Sequence, residues 1–369
     1  MYLPPVKNLN ILLPFSWLYG LGVWFRNRMF DMGQKSSVSF EKEVAVICVG
    51  NLAVGGTGKT PHTEYLVSLL QRENIGPIAV LSRGYKRQSK GFVLAKPGIS
   101  ASELGDESYQ LFRKYPDIIV AVDADRCHGI RQLLKLEEPP KVILLDDAMQ
   151  HRYVKPGLTI CLTSFNRILY KDKLLPVGRL REPAANVSRA DMVIVSKCPP
   201  LRSEQDTEIR AKLPTRLDQP VFYSAYRYGK LVNLATRESC DIDHATEVLI
   251  VTGIADPKVM ENYVQTHYRL LDIMTFGDHH RFSSKDIRMI GERLENVNGA
   301  GYCTSATTQK AVIITTEKDA ARLINHPAVT DDLRKRIYYL PTEVYFLQKQ
   351  QQEQFDNIVL DYVRKERGN

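Results

Sequence analysis

The sequence predicts an α/β fold: a P-loop NTPase-like, mostly parallel sheet, then a second, smaller α/β domain, with a membrane-associated helix at the N-terminus. Three observations lead there. Residues Val44 to Pro61 read VAVICVGNLAVGGTGKTP, an apolar strand running into a glycine-rich turn that ends in Gly58-Lys59-Thr60. Strand-sized apolar runs then alternate with helical patterns, the mark of a sheet covered on both faces. A length of 369 residues exceeds one ordinary core, so two domains are expected.

The first element is the segment Leu9 to Phe30, LNILLPFSWLYGLGVWFRNRMF, whose crowded Leu, Trp, Tyr and Phe are followed at once by Arg26 and Arg28. A spanning helix needs about 20 nearly continuous apolar residues, and Asn10, Pro14, Ser16, Gly20 and Gly22 interrupt this one. An interfacial or shallowly inserted helix fits better, with Trp17, Tyr19 and Trp24 at headgroup level and Arg26, Arg28 and Lys35 toward anionic lipid. The plainer alternative is a helix packed on its own domain. A cleaved signal peptide is disfavoured by the single Lys7 and the lack of an A-x-A site.

The second element is the phosphate loop itself. Val54, Gly55, Gly56, Thr57, Gly58, Lys59 and Thr60 form the expected nucleotide-binding turn, which suits ATP or GTP. Backbone N–H groups of Gly55 to Thr60 would converge on phosphate oxygens, Lys59 would bridge the outer phosphates, and the Thr60 hydroxyl would complete a Mg²⁺ shell. Ala53 stands where the pattern G-x-x-x-x-G-K-[ST] has its first glycine. The apolar positions Leu66, Val67, Leu69 and Leu70 predict the helix that must follow.

Beyond it, Ile78 to Leu81 reads as a strand, Ser82 to Arg87 as a basic turn, Asp106 to Tyr115 as a helix and Ile118 to Val122 as a strand. A helix over Arg126 to Leu136 and strands at Lys141 to Leu145, Leu158 to Leu162 and Met192 to Val195 complete the first domain. Short Tyr-rich strands occupy Leu213 to Ser239, with a hinge near 215 to 245. Val248 to Thr252 and Ala311 to Thr315 open the second unit, Tyr338 to Phe346 returns to the first, and Phe355 to Val363 closes the chain as a helix. The expected domains are 1–35, 36–230, 231–345 and a C-terminal helix over 346–369.

Composition narrows the partners. Fifty Lys and Arg against 42 Asp and Glu give a formal charge of +8, which suits an anionic ligand. No basic run is interleaved with aromatics, so nucleic acid is not expected. The six cysteines, Cys48, Cys127, Cys161, Cys198, Cys240 and Cys303, show no C-x-x-C and no zinc spacing, which reads as reduced thiols in a cytosolic compartment rather than a disulfide framework or structural zinc.

Ligands of parallel sheets bind beyond the carboxyl ends of the strands, and the chemically suggestive residues fall at those ends. Asp146-Asp147 closes the strand KVILL and can hold Mg²⁺ directly or through water, although paired carboxylates also cap helices. Gly105-Asp106-Glu107 opens a helix; Asp106 is either an N-cap residue or the carboxylate that receives a substrate hydroxyl proton. His279, in Phe276-Gly277-Asp278-His279-His280, is a surface turn unless the domains close over the nucleotide and bring its imidazole to that carboxylate. Arg83, Lys86, Arg87, Arg126, Arg179 and Arg181 are solvated loop charge or, because several turns contribute to one face, a phosphate-recognition set.

In order along the chain, VGNLAVGGTGKTP, LSRGYKR, GDE, LLDDAMQHR, GRLREP, VTGIADP, FGDHH and TTEKDAARL resemble the tetraacyldisaccharide 4'-kinase family, the membrane-associated lipid A kinases of Gram-negative bacteria. The resemblance runs from Leu9 to about Leu323. It implies transfer of the ATP γ-phosphoryl, with Mg²⁺, to the 4'-hydroxyl of an acylated glucosamine disaccharide 1-phosphate at the cytoplasmic face of the bacterial inner membrane. It also implies catalytic roles for Lys59, Asp106 and His279, metal roles for Thr60, Asp146 and Asp147, and a place at the active-site edge for Arg181 and Glu182, which with Arg83 and Arg126 of the phosphate-recognition set make up the expected substrate contacts. Ala148-Met149, Ser108 and Gly277 depart from the commonest family pattern and touch loop geometry more than charge. Two rivals are a membrane-associated P-loop ATPase switch and a nucleotide-sensing module. Val54 stands where the dimeric switches carry a second lysine, and in a sensing module Asp106 and His279 would be dispensable.

Overall fold

A computed structural model describes residues 9–254, 257–277, 280–299 and 311–367. Tyr228–Glu343 forms one compact unit, and the described residues before 228 and after 343 form the other.

The larger unit is built on a nine-stranded sheet in the order Thr342–Phe346, Val221–Tyr228, Met192–Ser196, Leu158–Ser164, Ala45–Asn51, Val142–Asp146, Ile78–Ser82, Ile119–Val122 and Val93–Leu94. The seven strands from Val221–Tyr228 to Ile119–Val122 run parallel, and Val93–Leu94 closes one edge antiparallel. The phosphate-loop strand is therefore central, and every residue of it is buried.

Its alternation builds two cores, because side chains on a strand point to opposite faces in turn. Val46 and Cys48, with Ile143, Leu145, Ala79 and Leu81, face the layer holding Ile130, Leu133 and Ile209. Ala45, Ile47 and Val49, with Val142, Leu144, Ile78 and Val80, face Leu66, Val67, Leu69 and Leu70 of the helix Lys59–Arg72 and Phe355, Val359 and Val363 of the helix Lys349–Arg367. The closing helix is longer than the apolar pattern at 355 to 363 indicates, since polar residues extend it at both ends.

The smaller unit repeats the scheme. Its six-stranded sheet runs Ser239–Cys240, Leu231–Asn233, Ile337–Leu340, Val312–Thr316, Glu247–Thr252 and Arg269–Thr275, the last four parallel. Ile337–Leu340 thus belongs here, whereas Thr342–Phe346 lies in the nine-stranded sheet; one apolar run in the sequence is two strands in two sheets, parted at Pro341.

The N-terminal helix Leu13–Asp31 is inverted relative to an ordinary surface helix. Ser16, Asn27 and Phe30 are its buried residues, while Phe15, Trp17, Leu18, Leu21, Trp24 and Phe25 are exposed, Trp17 at 72%. Polar contacts fasten the inner side. Ser16 Oγ donates to the Leu174 carbonyl at 2.9 Å, Tyr19 Oη to that of Arg181 at 3.0 Å, and Asn27 Nδ2 to Glu182 Oε2 at 3.1 Å. Arg26 donates to the Gln150 carbonyl at 2.6 Å, so this cation faces the protein and not, as its place in the sequence suggests, a lipid surface. Among the described residues no helix is long and apolar enough to cross a membrane.

One buried imidazole positions the helix that follows the phosphate loop. His62 Nδ1 lies 2.7 Å from the Gly58 carbonyl and Nε2 lies 2.9 Å from Ser224 Oγ, tying the helix start to the strand Val221–Tyr228. Burial lowers its pKa to about 4, only partly opposed by the Gly58 hydrogen bond. The neutral form is therefore the folded one. Stability from this group is fully present above about pH 6.5 and is lost as pH falls toward 4, because the unfolded chain takes up the proton first. The expected loss is about 3 kcal/mol. Urea denaturation at pH 7 and pH 4.5 should show His62→Gln with a shallower pH dependence than the wild-type chain; equal slopes would remove His62 as the cause.

Candidate active site

The loop after Ala45–Asn51 is held from several sides. Val54 N–H donates to the Arg179 carbonyl at 2.8 Å and Arg181 N–H to the Leu52 carbonyl at 2.7 Å, so GRLREP lies along the loop as a short antiparallel partner. Ser196 Oγ donates to the Thr57 carbonyl and Asn51 Nδ2 to Thr57 Oγ1, each at 2.7 Å. Gly58 adopts φ +89°, and a side chain there would collide with the Tyr226 hydroxyl. The turn thus requires glycine twice over, for its left-handed backbone and for the aromatic packed against it. Gly58 caps the helix Lys59–Arg72 without any side-chain hydrogen bond, leaving the first N–H groups of the helix for an anion.

Asp146 and Asp147 arrive beside this loop because their strand is the direct neighbour of Ala45–Asn51, with Asp146 opposite Val49. The approach is tight. A Cβ on Gly50 would lie 2.6 Å from Met149 Cβ, and Gln150 Nε2 donates to the Asn51 carbonyl at 2.6 Å. Asp147, at φ +51°, turns its carboxylate toward two cations: Lys59 Nζ at 3.6 Å and Arg181 Nη1 at 3.1 Å. Burial pushes its pKa up, but Lys59 and Arg181 prevail and hold it below the usual range.

Asp146 behaves oppositely. It is buried, and desolvation, reinforced by the Glu107 charge, lifts its pKa to about 7 despite Lys59. Its Oδ1 is buried with no hydrogen-bond partner among the described residues. A buried carboxylate oxygen left unpaired, next to a second carboxylate and a lysine, fits a hard divalent cation with oxygen ligands. Thr60, at the second position of the helix, is the hydroxyl available on the loop side.

Asp106 is the first residue of the helix Asp106–Lys114 and is half-buried. The preceding Gly105 sits at φ +86°, and a Cβ there would come within 3.1 Å of the Tyr85 carbonyl. Ser82 and Ser108 hydroxyls meet at 2.5 Å. The GDE and LSRGYKR strings therefore pack on each other beyond the strand Ile78–Ser82, itself next to Val142–Asp146. Glu107, which sequence reasoning passed over as part of an acidic first turn, reaches Asp146 electrostatically.

The cationic residues separate into two kinds. Arg83 is exposed. Arg126 is 2% exposed and spends Nη1 on the carbonyls of Asp123 and Ala124, each at 3.1 Å; burial and then the Arg83 charge lower its pKa. Arg87 is a strut, donating to the carbonyls of Val122 and Gly91. Glu182 is 1% exposed beneath Asn27, Asn186 and Arg189. Its position ties the N-terminal helix to the loop edge.

In the smaller unit, VTGIADP, FGDHH and TTEKDAARL come together. Asp319, fully buried, accepts from Gly253 N–H at 2.8 Å and from Thr316 Oγ1 at 2.8 Å and pairs with Arg322 at 2.9 Å. A Cβ on Gly253 would lie 3.3 Å from that of His280. His280 stacks on Phe276 and binds Asp286 at 3.0 Å. Asp278 and His279 lie outside the described residues.

The sequence missed His62, Asn51, Ser196 and Tyr226, which shape the loop from neighbouring strands. None belongs to a local pattern; only their burial and partners mark them.

Comparison with known proteins agrees with this layout. The family model for tetraacyldisaccharide-1-P 4'-kinase matches residues 9–363. The chain is 47% identical to the tetraacyldisaccharide 4'-kinase of Bacteroides fragilis, over 99% of this chain and 96% of that one. It is 43% identical to that of Flavobacterium johnsoniae, over 96% and 97%. The crystal structure of LpxK from Aquifex aeolicus in complex with ATP superposes with a TM-score of 0.72 at 28% identity, covering 96% of this chain and 99% of that one. A glycine turn read against a strand-end carboxylate pair, and a family match spanning nearly the whole chain, lead to one statement: this protein belongs to the tetraacyldisaccharide-1-P 4'-kinase family.

Proposed function

We propose that this chain transfers the γ-phosphoryl of ATP to the 4'-hydroxyl of a tetraacylated glucosamine disaccharide 1-phosphate. The observation that carries the reading is the convergence of Lys59, Asp146 and Asp147 at the carboxyl edge of one parallel sheet, within a chain of this family. Phosphoryl transfer depends chiefly on positioning and charge neutralisation. Residues 54 to 60 cradle the phosphates. Lys59 leaves its resting partner Asp147 for the transferring group and neutralises charge that grows there. Asp146, Asp147 and the Thr60 hydroxyl are the residues that would hold Mg²⁺, which when bound neutralises phosphate charge. Burial, reinforced by the Glu107 charge, favours the protonated form of Asp146 until a cation takes the proton's place.

Asp106 accepts the acceptor's hydroxyl proton, and His279 assists it, as the family pattern implies. Arg83 and Arg181 are the exposed or half-exposed cations suited to the substrate's phosphate. Arg126 acts from beneath them through its buried charge, and Glu182 acts through the helix it anchors. Membrane association is supported by the exposed Phe15, Trp17, Leu18, Leu21, Trp24 and Phe25, an apolar face too large to be incidental on a soluble surface. The substrate's acyl chains reside in a bilayer, so a chain that lies on it meets them there.

The deciding assay supplies ATP, Mg²⁺ and acylated disaccharide 1-phosphate and looks for the doubly phosphorylated lipid. Lys59→Ala should lose about 10²- to 10³-fold in kcat, and Asp106→Ala and His279→Ala about 10²- to 10⁴-fold each. Full activity in Asp106→Ala returns that residue to a helix cap, and nucleotide hydrolysis without lipid product favours the switch ATPase. Mg²⁺-dependent nucleotide binding should strengthen from pH 6 to pH 8, because Asp146 sheds its proton near 7. Asp146→Asn should flatten that profile, and a profile identical to wild type would clear Asp146 of the metal role. The double variant Leu18→Gln/Trp24→Gln should sediment less with anionic vesicles while retaining the wild-type melting temperature; undiminished sedimentation would place the membrane contact elsewhere.

A further inference from the structure

Outside the phosphate-loop cluster, the structure gathers three side chains of metal-ligating type from two separate segments of the chain. Asp125 and Cys127 stand at the start of the helix Arg126–Leu133, and His151 follows the Asp146-Asp147 turn. One ligand atom from each lies within 4.8 Å of the other two. We propose that Asp125, Cys127 and His151 form a binding site for a borderline-soft divalent cation of the Zn²⁺ type, pinning the turn that carries Arg126 to the segment that carries the paired aspartates.

Each ligand is prepared by its surroundings. Asp125 Oδ1 accepts from the N–H groups of Cys127 at 2.9 Å and His128 at 3.2 Å, which orients the carboxylate. The Cys127 side chain is buried, with Sγ 3.3 Å from the Tyr153 carbonyl. His151 Nε2 is buried and has no hydrogen-bond partner among the described residues. An unpaired buried imidazole nitrogen costs about 1 to 3 kcal/mol, a cost that coordination removes. Burial, with Arg126 and other cations nearby, also keeps His151 in the neutral form that ligates.

Ligand chemistry selects the ion. Mg²⁺ and Ca²⁺ take oxygen ligands, whereas one thiolate, one imidazole and one carboxylate suit Zn²⁺ at bond lengths of about 2.0 to 2.3 Å. Small side-chain rotations bring the three atoms to that spacing, and the exposed Asp125 side leaves a fourth position for water. The thiolate and carboxylate together carry two negative charges, which offset Arg26, Arg83 and Arg126 around His151. A nucleophilic Cys-His-Asp arrangement is the competing account. Burial raises the Cys127 pKa and lowers that of His151, the reverse of an activated thiolate–imidazolium pair. Zinc spacing in the sequence cannot reveal such a site, since its third ligand lies on another strand's turn.

The test uses full-length protein stripped with chelator and titrated with Co²⁺ under excess Mg²⁺, which saturates the oxygen-lined cluster at Asp146 and Asp147. The expected result is one equivalent of tetrahedral Co²⁺ with a near-ultraviolet thiolate-to-metal band, displaced by Zn²⁺. Cys127→Ser should lose that band, and His151→Ala and Asp125→Asn should weaken Co²⁺ binding by about 10- to 100-fold or more, the range that even outer-shell losses produce. No thiolate band in the wild-type protein overturns the proposal. A band that survives Cys127→Ser, or an affinity unchanged in both other variants, overturns it equally, and neither reading involves kinase turnover.

Discussion

The site depends on the central strand Ala45–Asn51 lying directly against Val142–Asp146, whose following turn brings Met149 so close that only glycine fits at position 50. All strands of this part of the sheet point the same way, so each delivers its following turn to one edge. The glycine turn, the paired aspartates, the basic turn after Ile78–Ser82 and the GRLREP segment are neighbours for that reason alone. The same adjacency divides the labour of the two carboxylates. Asp147 turns outward to Lys59 and Arg181 and stays ionised, whereas Asp146 stays in the low-dielectric sheet edge beside Glu107 and titrates near 7.

A second consequence follows at the N-terminus. A helix with Ser16 and Asn27 inside and six large apolar side chains outside gains little from packing on its own unit. It is fastened by hydrogen bonds instead, one of them to Glu182, which sits one residue from the Arg181 that pairs with Asp147. The exposed apolar surface of this helix and the edge that carries Lys59 and Asp147 are thus joined through adjacent residues of one short string. This accounts for a buried Glu182 that touches no solvent yet belongs to the site's edge.

The motifs themselves were legible. Gly55 to Thr60 is recognisable from its own glycines and the apolar strand before it, and Asp146-Asp147 declares itself as charge at the end of a buried run. Apolar runs alternating with helical patterns implied a sheet covered on both faces, and the structure divides the residues of Ala45–Asn51 between two cores accordingly. Periodicity was less informative where polarity continued a helix, as in Lys349–Arg367, or where one apolar run served two sheets, as across Pro341.

What the sequence determined by itself is local: a phosphate-binding turn, the strands and helices that frame it, and the residue types able to move phosphate. What only the tertiary structure decided is which distant groups share a low-dielectric pocket. His62 against Ser224, Tyr226 over Gly58, Arg26 turned to Gln150, and Cys127 beside His151 are contacts between residues whose separation along the chain carries no signal. Backbone preference is written in neighbouring residues. Desolvation and charge pairing are properties of a place, and the place exists only once the sheet has formed.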